Sequence, residues 1–344
     1  MHHTDDPAHT NGDEKGQTVL VTGGAGYIGS HVCKALAKGG FLPVVYDNLS
    51  RGNRWAVRWG PFEYGDIGDQ NRLRAVLTTH RPVAVIHLAA FAYVGESEHH
   101  PHLYYDNNVR RTLTMMDTLL DNGVERIIFS SSCAVYGVPE TLPITEQTPM
   151  RPVNVYGTTK MMTELVLRDL GRLGRIRYCA LRYFNAAGAD ADGEIGECHT
   201  PEPHVLPSLL SACSGGAPFA ILGTDYDTPD GSCIRDYIHV TDLAKAHIMA
   251  LDYLLSGGPS EILNLGTGQG ISIRELIHLV QRVTGRSLEP VIQPRRGGDP
   301  PALFANSDKA GRILGWQPEW QQLEEVVASA WHWQKKAACH ADGP

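Results

Sequence analysis

A glycine-rich turn near the amino terminus is the feature that most limits what this chain can fold into. The run Gly24-Ala25-Gly26-Tyr27-Ile28-Gly29 matches the pattern G-x-G-x-x-G, follows a β-rich segment at 18–24 and opens a helical pattern over 27–38. Glycines make the tight turn, let backbone N–H groups approach a phosphate and let the helix pack close to the strand. The helix N-terminus then faces a negative group. The pattern therefore predicts a dinucleotide site.

An acidic residue follows at the end of the next predicted strand. That strand is segment 42–47, and Asp47 lies 18 residues after Gly29. A carboxylate at this point accepts hydrogen bonds from ribose hydroxyls and repels a 2′-phosphate, so the spacing favours NAD over NADP. Asp66 and Ile67 follow the third predicted strand, where an adenine contact is expected.

Strand and helix patterns alternate through the first half of the chain. Short apolar runs typical of buried parallel strands occur at 84–90 and 126–132, and 177–188 is a further predicted strand. Residues 101–122 and 156–172 are predicted helices. This alternation predicts an α/β fold, a Rossmann doubly wound parallel sheet with right-handed crossovers.

The pattern changes after Gly188. We expect an NAD-binding Rossmann domain at 17–188, to which 236–270 returns as a strand end, a helix and a strand. A smaller C-terminal substrate-binding domain is expected from two segments, 189–235, rich in Gly, Pro and Asp, and 271–337. A disordered leader is expected at 1–16 and a tail at 338–344.

Composition excludes several classes of partner. The net charge of −8 argues against nucleic-acid binding, which needs a basic face. No apolar run approaches the roughly 18 residues of a membrane span, and the first residues lack the apolar core of a secretory signal. Seven Cys without a C-x-x-C pair predict free thiols in a reducing compartment. We therefore expect a cytoplasmic protein.

A candidate catalytic group stands downstream of the glycine turn. Tyr156 and Lys160 form Y-x-x-x-K, and residues four apart share one face of a helix. A nearby ammonium and a positive nicotinamide ring would both stabilise phenolate and lower the pKa of tyrosine, making it a usable base. Ser132, at the end of a predicted strand, could bridge the substrate oxygen and the phenol.

Histidine is abundant, but its spacing indicates no metal site. None of the sixteen His forms H-x-x-x-H or a repeated Cys/His spacing, so we expect no metal. His199 and His204 fall in the expected substrate region, where a role in the site and a role as ordinary polar loop residues both remain open. No G-x-S-x-G turn favours a hydrolase.

Ten motifs in order, between about 18 and 337, resemble the UDP-glucose 4-epimerase family. They are TGGAGYIGSH (22–31), YDNLS (46–50), YVGES (93–97), YYDNNV (104–109), FSSSCAVYG (129–137), YGTTK (156–160), LRYFNAAGA (181–189), RDYIHVTDLA (235–244), LNLGTG (263–268) and RRGGD (295–299). The chain is most similar to bacterial members linked to exopolysaccharide synthesis. The resemblance implies an isomerase of galactose and carbohydrate metabolism with an extended short-chain dehydrogenase/reductase fold, tightly held NAD and a homodimer built through a helical bundle.

The resemblance also implies site residues. The implied cofactor contacts are Gly23, Gly26, Tyr27, Ile28, Gly29, Asp47, Asn48, Asp66, Ile67, Leu88, Ala89, Ala90, Asn107, Tyr156, Lys160 and Phe184. The implied UDP-sugar contacts are Ser132, Asn185, His204, Val205, Arg235, Arg296, Asp299 and Leu303. The two arginines suit this role because a planar guanidinium pairs with diphosphate oxygens.

Three positions depart from common members of the family. Ala92 stands where many epimerases have a cofactor-contacting lysine, His204 replaces an asparagine near the diphosphate, and Leu303 occupies the position that gates the sugar pocket. The first departure removes one contact, and the last leaves the acceptance of N-acetylated sugars open.

The implied reaction is reversible C4 epimerisation of UDP-glucose and UDP-galactose through a 4-keto sugar. A UDP-arabinose/xylose or UDP-glucuronate 4-epimerase is the nearest alternative, because the run 92–97 also resembles the pentose enzymes. A 4,6-dehydratase or decarboxylase would need an acid after Ser132, where Cys133 and Ala134 stand. A non-catalytic NAD-binding regulator is a remote alternative, since fold does not fix function.

Overall fold

The computed structural model describes residues 16–336. The tail at 338–344 and all but the last residue of the expected leader at 1–16 lie outside the described residues. The first half contains β1 (Thr18–Thr22), α1 (Tyr27–Lys38), β2 (Leu42–Asp47), β3 (Phe62–Tyr64), α2 (Gln70–His80), β4 (Ala84–His87), α3 (Val94–His99), α4 (Pro101–Tyr104), α5 (Thr112–Asp121), β5 (Arg126–Ser132) and α6 (Val155–Arg172). The second half contains β6 (Arg177–Tyr183), β7 (Asn185–Ala187), α7 (Val205–Cys213), β8 (Ala220–Leu222), β9 (Ile234–His239), α8 (Val240–Leu255), β10 (Glu261–Leu265), β11 (Gly270–Ser272), α9 (Ile273–Thr284), β12 (Val291–Gln293), β13 (Ala302–Leu303), α10 (Asp308–Leu314) and α11 (Leu323–Lys336).

A seven-stranded sheet confirms the predicted doubly wound fold. Its order is β10-β6-β5-β4-β1-β2-β3, and every pair in it is parallel. The strand order reverses beside β1, so the carboxyl ends of β1 and β4 open a crevice there, where ligands of such sheets bind. The glycine turn after β1 lies at this crevice.

The central strands are buried on both faces, as their unbroken apolar runs predict. Val19 and Val21 of β1 belong to an apolar cluster with α1 and α8, while Leu20 belongs to a second cluster with α2, α5 and α6. Successive side chains of a strand point to opposite faces, so one short run anchors both helical layers.

The predicted helix at 101–122 is interrupted. Between α4 and α5 the segment Tyr105–Arg111 is π-helical, a feature often found at functional sites. It places Asn108 where its side chain accepts a hydrogen bond from the backbone nitrogen of Phe91 at 2.8 Å and donates one to the carbonyl oxygen of Phe91 at 2.9 Å. Through these two hydrogen bonds, the π-helical segment holds the chain that follows β4 in place.

The predicted strand at 177–188 is two strands. It breaks at Phe184, so that β6 lies in the large sheet and β7 pairs with β9 in a four-stranded sheet completed by β11 and β13. The chain returns to the large sheet at β10, which pairs with β6. A separate apolar cluster joins α7, α9 and α11, and β8 pairs with β12.

Among residues 16–336, one cysteine differs from the expectation. Cys33, Cys133, Cys179, Cys213 and Cys233 are free thiols, whereas Cys198 is disulfide-bonded, so the prediction of free thiols is wrong there. No helix within residues 16–336 is both long and apolar enough to cross a membrane.

Candidate active site

The glycine turn leaves its backbone open to a large cavity. A Cβ atom at Gly23, whose φ is +74°, would lie 2.6 Å from a backbone nitrogen of the segment after β4, and one at Gly29 would lie 2.2 Å from the carbonyl oxygen of Gly23. Gly23, Gly26 and Gly29 line a cavity of about 580 Å³. A Cβ at the buried Gly24 would instead meet the side chain of Val45. The glycines that face the cavity are thus spaced three residues apart.

Asp47, the last residue of β2, is held as a fixed acceptor on the cavity wall. Its Oδ2 accepts a hydrogen bond from the backbone nitrogen of Ala25 at 3.0 Å, and its Oδ1 accepts one from that of Leu49 at 2.8 Å. Burial raises the pKa of this carboxyl, while the two backbone hydrogen bonds act in the opposite direction. Each carboxylate oxygen can accept a further hydrogen bond, so the side chain can still hold a ribose.

Asp66 is the one predicted site residue that does not line this cavity. Its carboxylate accepts a hydrogen bond from Nδ2 of Asn48 at 2.9 Å and forms an ion pair with Arg111. Asn48 and Ile67 do line the cavity. Asp66 therefore holds the cavity-lining side chain of Asn48, and the expected contact of Asp66 with adenine stays a prediction.

The structure brings the three predicted catalytic side chains into one cavity. Tyr156 and Lys160 lie on α6, whose first turn is capped by Asn154 through a 2.8 Å hydrogen bond from the backbone nitrogen of Gly157. Ser132 ends β5. Nζ of Lys160 donates a 2.7 Å hydrogen bond to the carbonyl oxygen of Ser130, so the strand end and the helix are joined.

Burial dominates the ionisation of this group. It raises the pKa of Tyr156 to about 12, while a hydrogen bond with Ser132 acts to lower it. It lowers the pKa of Lys160 to about 7, while the charge of Glu164 acts to raise it. Neither charge is stable alone in this environment, so a phenolate and an ammonium formed together would stabilise each other.

The three serines that end β5 have separate partners. Ser130 bonds to the hydroxyl of Tyr183, and Ser131 donates to the carboxylate of Glu164. Oγ of Ser132 accepts a 3.1 Å hydrogen bond from a backbone nitrogen of the following turn and faces the cavity. Ser130 also lines the cavity, but its hydroxyl is held by Tyr183, which leaves Ser132 as the serine placed to meet a substrate.

A second cavity of about 420 Å³ adjoins the first. Six residues line both cavities, and five of them are predicted UDP-sugar contacts: Asn185, Val205, Arg235, Arg296 and Asp299. The sixth is Pro203. The carboxylate of Asp299 accepts hydrogen bonds from Nε of Arg296 at 3.0 Å and from its Nη2 at 2.8 Å, and it lies 4.0 Å from Nη2 of Arg235. The boundary between the cavities thus carries two guanidinium groups.

The remaining predicted residues also line the first cavity. They are Tyr27, Ile28, Leu88, Ala89, Ala90, Asn107, Phe184, His204 and Leu303, and Ala92 lines it as well. Leu303 is almost fully buried in an apolar cluster with Cys133 and Phe184.

Comparison with known proteins identifies the family. A model of the NAD dependent epimerase/dehydratase family matches residues 19–266. The chain belongs to this family. A UDP-glucose 4-epimerase of Rhizobium leguminosarum bv. trifolii is 49% identical over 326 residues, which are 94% of this chain and 99% of that protein. The structure of UDP-glucose 4-epimerase from Brucella ovis in complex with NAD has a TM-score of 0.89 at 50% identity, covering 92% of this chain and 98% of that one.

A more distant relative represents the alternative sugar. UDP-arabinose 4-epimerase 1 of Arabidopsis thaliana is 40% identical over 334 residues, which are 92% of this chain and 79% of that protein. The resemblance to UDP-glucose 4-epimerases, the extended short-chain dehydrogenase fold and NAD as the cofactor are confirmed.

The residues of this member of the family fit NAD. A Cβ at Gly23 or Gly29 would collide with neighbouring backbone, so these glycines allow the tight turn that lines the cavity, and α1 begins beside it at Tyr27. A helix N-terminus of this kind attracts phosphate. Asp47 supplies acceptors at the end of β2, where a ribose would lie.

Sequence reasoning missed two sets of residues. Glu164 and Arg182 form a buried ion pair beneath the catalytic group, and a charged residue inside the apolar run of β6 was the available signal. Much of the second cavity comes from the segment 217–222, which has no periodic pattern and gave no signal.

Proposed function

We propose that this chain catalyses the reversible C4 epimerisation of UDP-glucose and UDP-galactose through a 4-keto intermediate. One observation carries the proposal: Tyr156, Lys160 and Ser132 face the same cavity as the glycine turn, and that cavity opens onto the arginine-bearing second cavity. A cofactor and a nucleotide sugar can therefore meet at the catalytic group.

Tyr156 moves the proton in this scheme. Its phenolate takes the proton from the sugar 4-hydroxyl and later returns it, and Ser132 holds the oxygen involved. Lys160 stabilises the phenolate by its charge. When bound, NAD supplies a reversible acceptor for the hydride of C4.

Firm binding of the nucleotide and loose binding of the sugar are what epimerisation needs, because the 4-keto sugar must present its opposite face. Arg235 and Arg296 are proposed to hold the diphosphate, and the second cavity the uridine. The sugar then lies near Leu303, an apolar side chain that offers no hydrogen bond to fix one orientation.

The organisation of the chain is part of the proposal. We assign NAD binding to 17–188 with 236–270 and substrate binding to 189–235 with 271–337. We also propose a homodimer, which is supported by four exposed apolar side chains on neighbouring helical segments: Leu103, Tyr105, Leu113 and Met162. A cytoplasmic location is supported by the nucleotide-sugar substrate.

A pentose nucleotide is the second candidate substrate. The run 92–97 lines the cavity at five positions and resembles that of pentose epimerases, and the Arabidopsis relative acts on UDP-arabinose by name. Glucose and galactose are favoured because the more similar relatives are UDP-glucose 4-epimerases.

Product analysis decides between these substrates. Purified protein, without added NAD, is incubated separately with UDP-galactose, UDP-N-acetylgalactosamine and UDP-xylose, and products are separated by chromatography. We expect UDP-glucose from UDP-galactose. Turnover of UDP-xylose alone would move the assignment to a pentose epimerase. No turnover in any tube, even with NAD added, would favour a uronate substrate or a non-catalytic role.

A further inference from the structure

Four side chains with metal-ligating atoms converge on the wall of the first cavity. Glu197, His199 and His204 line that cavity, and Glu202 lines the second one. One ligating atom from each lies within 4.8 Å of all the others. We propose that these four residues bind one divalent transition-metal ion of the zinc class. The site would hold the segment 197–204 between the two cavities.

The separations between the donor atoms suit a small tetrahedral site. Nδ1 of His204 lies 2.7 Å from Oε1 of Glu197 and 2.8 Å from Oε1 of Glu202. Nδ1 of His199 lies 3.4 Å from Oε1 of Glu197 and 3.4 Å from Oε2 of Glu202. Ligands about 2.0–2.2 Å from a tetrahedral zinc ion are roughly 3.3 Å apart, so small movements complete the site.

Hydrogen bonding alone does not account for this arrangement. Nδ1 of His204 lies close to both carboxylates, but a nitrogen has one proton to donate. Nδ1 of His199 is buried and has no hydrogen-bond partner within the described part of the chain, although it points at the same two carboxylates. A cation at the centre would satisfy all four donor atoms together. Two imidazoles and two carboxylates are a ligand set that zinc accepts.

The surroundings hold the two imidazoles in place. The Tyr93 ring lies 5.8 Å from the rings of both His199 and His204, with interplanar angles of 90° and 77°. The backbone just before His199 is tied down as well, because Asn53 donates a 3.0 Å hydrogen bond to the carbonyl oxygen of Cys198, and Trp333 donates one of 2.9 Å to that of Glu197. The site is thus preorganised by contacts from outside the segment.

A second cluster of carboxylates provides a contrast. Asp190, Asp192 and Glu194 also converge, but Nζ of Lys34 lies 2.8, 2.8 and 2.7 Å from their oxygens. A buried ammonium already occupies the space between those three carboxylates. In the cluster at 197–204 the carboxylates instead pair with two imidazoles, which can release a proton and bind a metal ion in its place.

The proposal has consequences for the two cavities. His204 precedes the first residue of α7, and Val205, which begins that helix, lines both cavities. A metal ion bound through Nδ1 of His204 would fix the start of α7 relative to the cofactor cavity. Nε2 of His204 would stay available to a substrate. The ion would therefore act by fixing the position of this side chain.

Metal binding tests the proposal without measuring turnover. The full chain, with its cofactor, is treated with a chelator and desalted, and Zn²⁺ is then titrated by calorimetry and by thermal unfolding. We expect about one equivalent and a rise in Tm, as a ligand specific for the folded state gives. Visible absorption after Co²⁺ addition should show the bands of a four-coordinate ion.

Matched variants locate the site. His199→Ala and the near-isosteric Glu202→Gln should each weaken Zn²⁺ binding by about tenfold or more and remove the Tm rise. His278→Ala, which removes an exposed histidine on α9, and Glu194→Gln, in the cluster around Lys34, should bind Zn²⁺ as the unchanged protein does. Binding that is absent in the unchanged protein, or equal in all variants, would overturn the proposal.

Discussion

Nζ of Lys160 lies 5.8 Å from the centre of the Tyr156 ring, one helical turn away on α6. Burial opposes the charged form of both groups, raising the pKa of the phenol and lowering that of the ammonium. A buried pair of opposite charges meets a smaller penalty than either charge alone. The pair is therefore suited to gain and lose its charges together.

Replacing Tyr156 by Phe should separate catalysis from cofactor binding. The change removes the proton-transferring hydroxyl but keeps the ring, so kcat on UDP-galactose should fall by about 10²–10⁴ while NAD still co-purifies. Steady-state kinetics and the ultraviolet spectrum of the purified variant check this. Tyr64→Phe, on the exposed surface, is the control and should turn over normally. Normal turnover in Tyr156→Phe would remove this residue from the mechanism.

Asp47→Ser should weaken discrimination between the two nicotinamide cofactors. Serine can still accept a hydrogen bond, but it has no charge to repel a 2′-phosphate. We expect the NAD/NADP affinity ratio to fall by about tenfold, a change of about 1.4 kcal/mol. Equilibrium dialysis after removal of bound cofactor measures both affinities. Asp66→Asn should change the affinities for NAD and NADP by the same factor, because any adenine contact is common to the two cofactors. An unchanged ratio in Asp47→Ser would show that another group selects the cofactor.

Regular patterns made much of the fold and site predictable. Strands such as β1, β2 and β5 are short apolar runs between helical periods, so the large sheet followed from the sequence. Tyr156 and Lys160 could be paired because four residues make one helical turn. The roles of the arginines and Leu303 were predicted from the family resemblance alone, because the segments that contain them show no helical or strand periodicity.

The missed features depend on contacts between distant residues. Nothing local distinguishes Phe184, where one extended run passes from the large sheet to the small one. The π-helical segment Tyr105–Arg111 still has a helical pattern, so its altered winding was not visible. The cluster at 197–204 alternates glutamate and histidine, so a search for histidine and cysteine spacings overlooked it.

Arg182→Met should strongly destabilise the protein. Arg182 and Glu164 are both buried and form an ion pair, and Nη1 of Arg182 also donates a 2.8 Å hydrogen bond to the hydroxyl of Tyr136. Removing the guanidinium leaves an unpaired buried carboxylate, which costs about 3–5 kcal/mol of unfolding free energy. Denaturant unfolding provides the measurement.

A second substitution tests the cause of that loss. Arg182→Met combined with Glu164→Leu removes the uncompensated charge and should recover part of the stability. Arg110→Met, which breaks an exposed ion pair with Asp106, should cost about 1 kcal/mol or less. If the double variant is as unstable as the sum of its single changes, the loss comes from packing and not from the buried charge.

Acid should destabilise the protein through its buried histidines, and His247 allows one of them to be isolated. Nδ1 of His247 donates a 2.8 Å hydrogen bond to the carbonyl oxygen of Leu243, and its buried Nε2 has no partner in the described structure. Burial lowers the pKa of His247 to about 4, with the backbone hydrogen bond acting to raise it. Below the unfolded pKa of about 6.5, the unfolded chain binds a proton that the folded protein does not.

The sign follows from this difference in proton binding. Stability falls as pH decreases from about 6.5 towards 4, by up to about 1.4 kcal/mol per pH unit for each such histidine. In His247→Leu, the loss between pH 7 and pH 5 should be smaller by about 2 kcal/mol than in the unchanged protein. Denaturant unfolding at three pH values measures it, and His102→Gln, an exposed position, is the control. Parallel curves for His247→Leu and the unchanged protein would mean that this imidazole is already protonated in the folded state or reaches water.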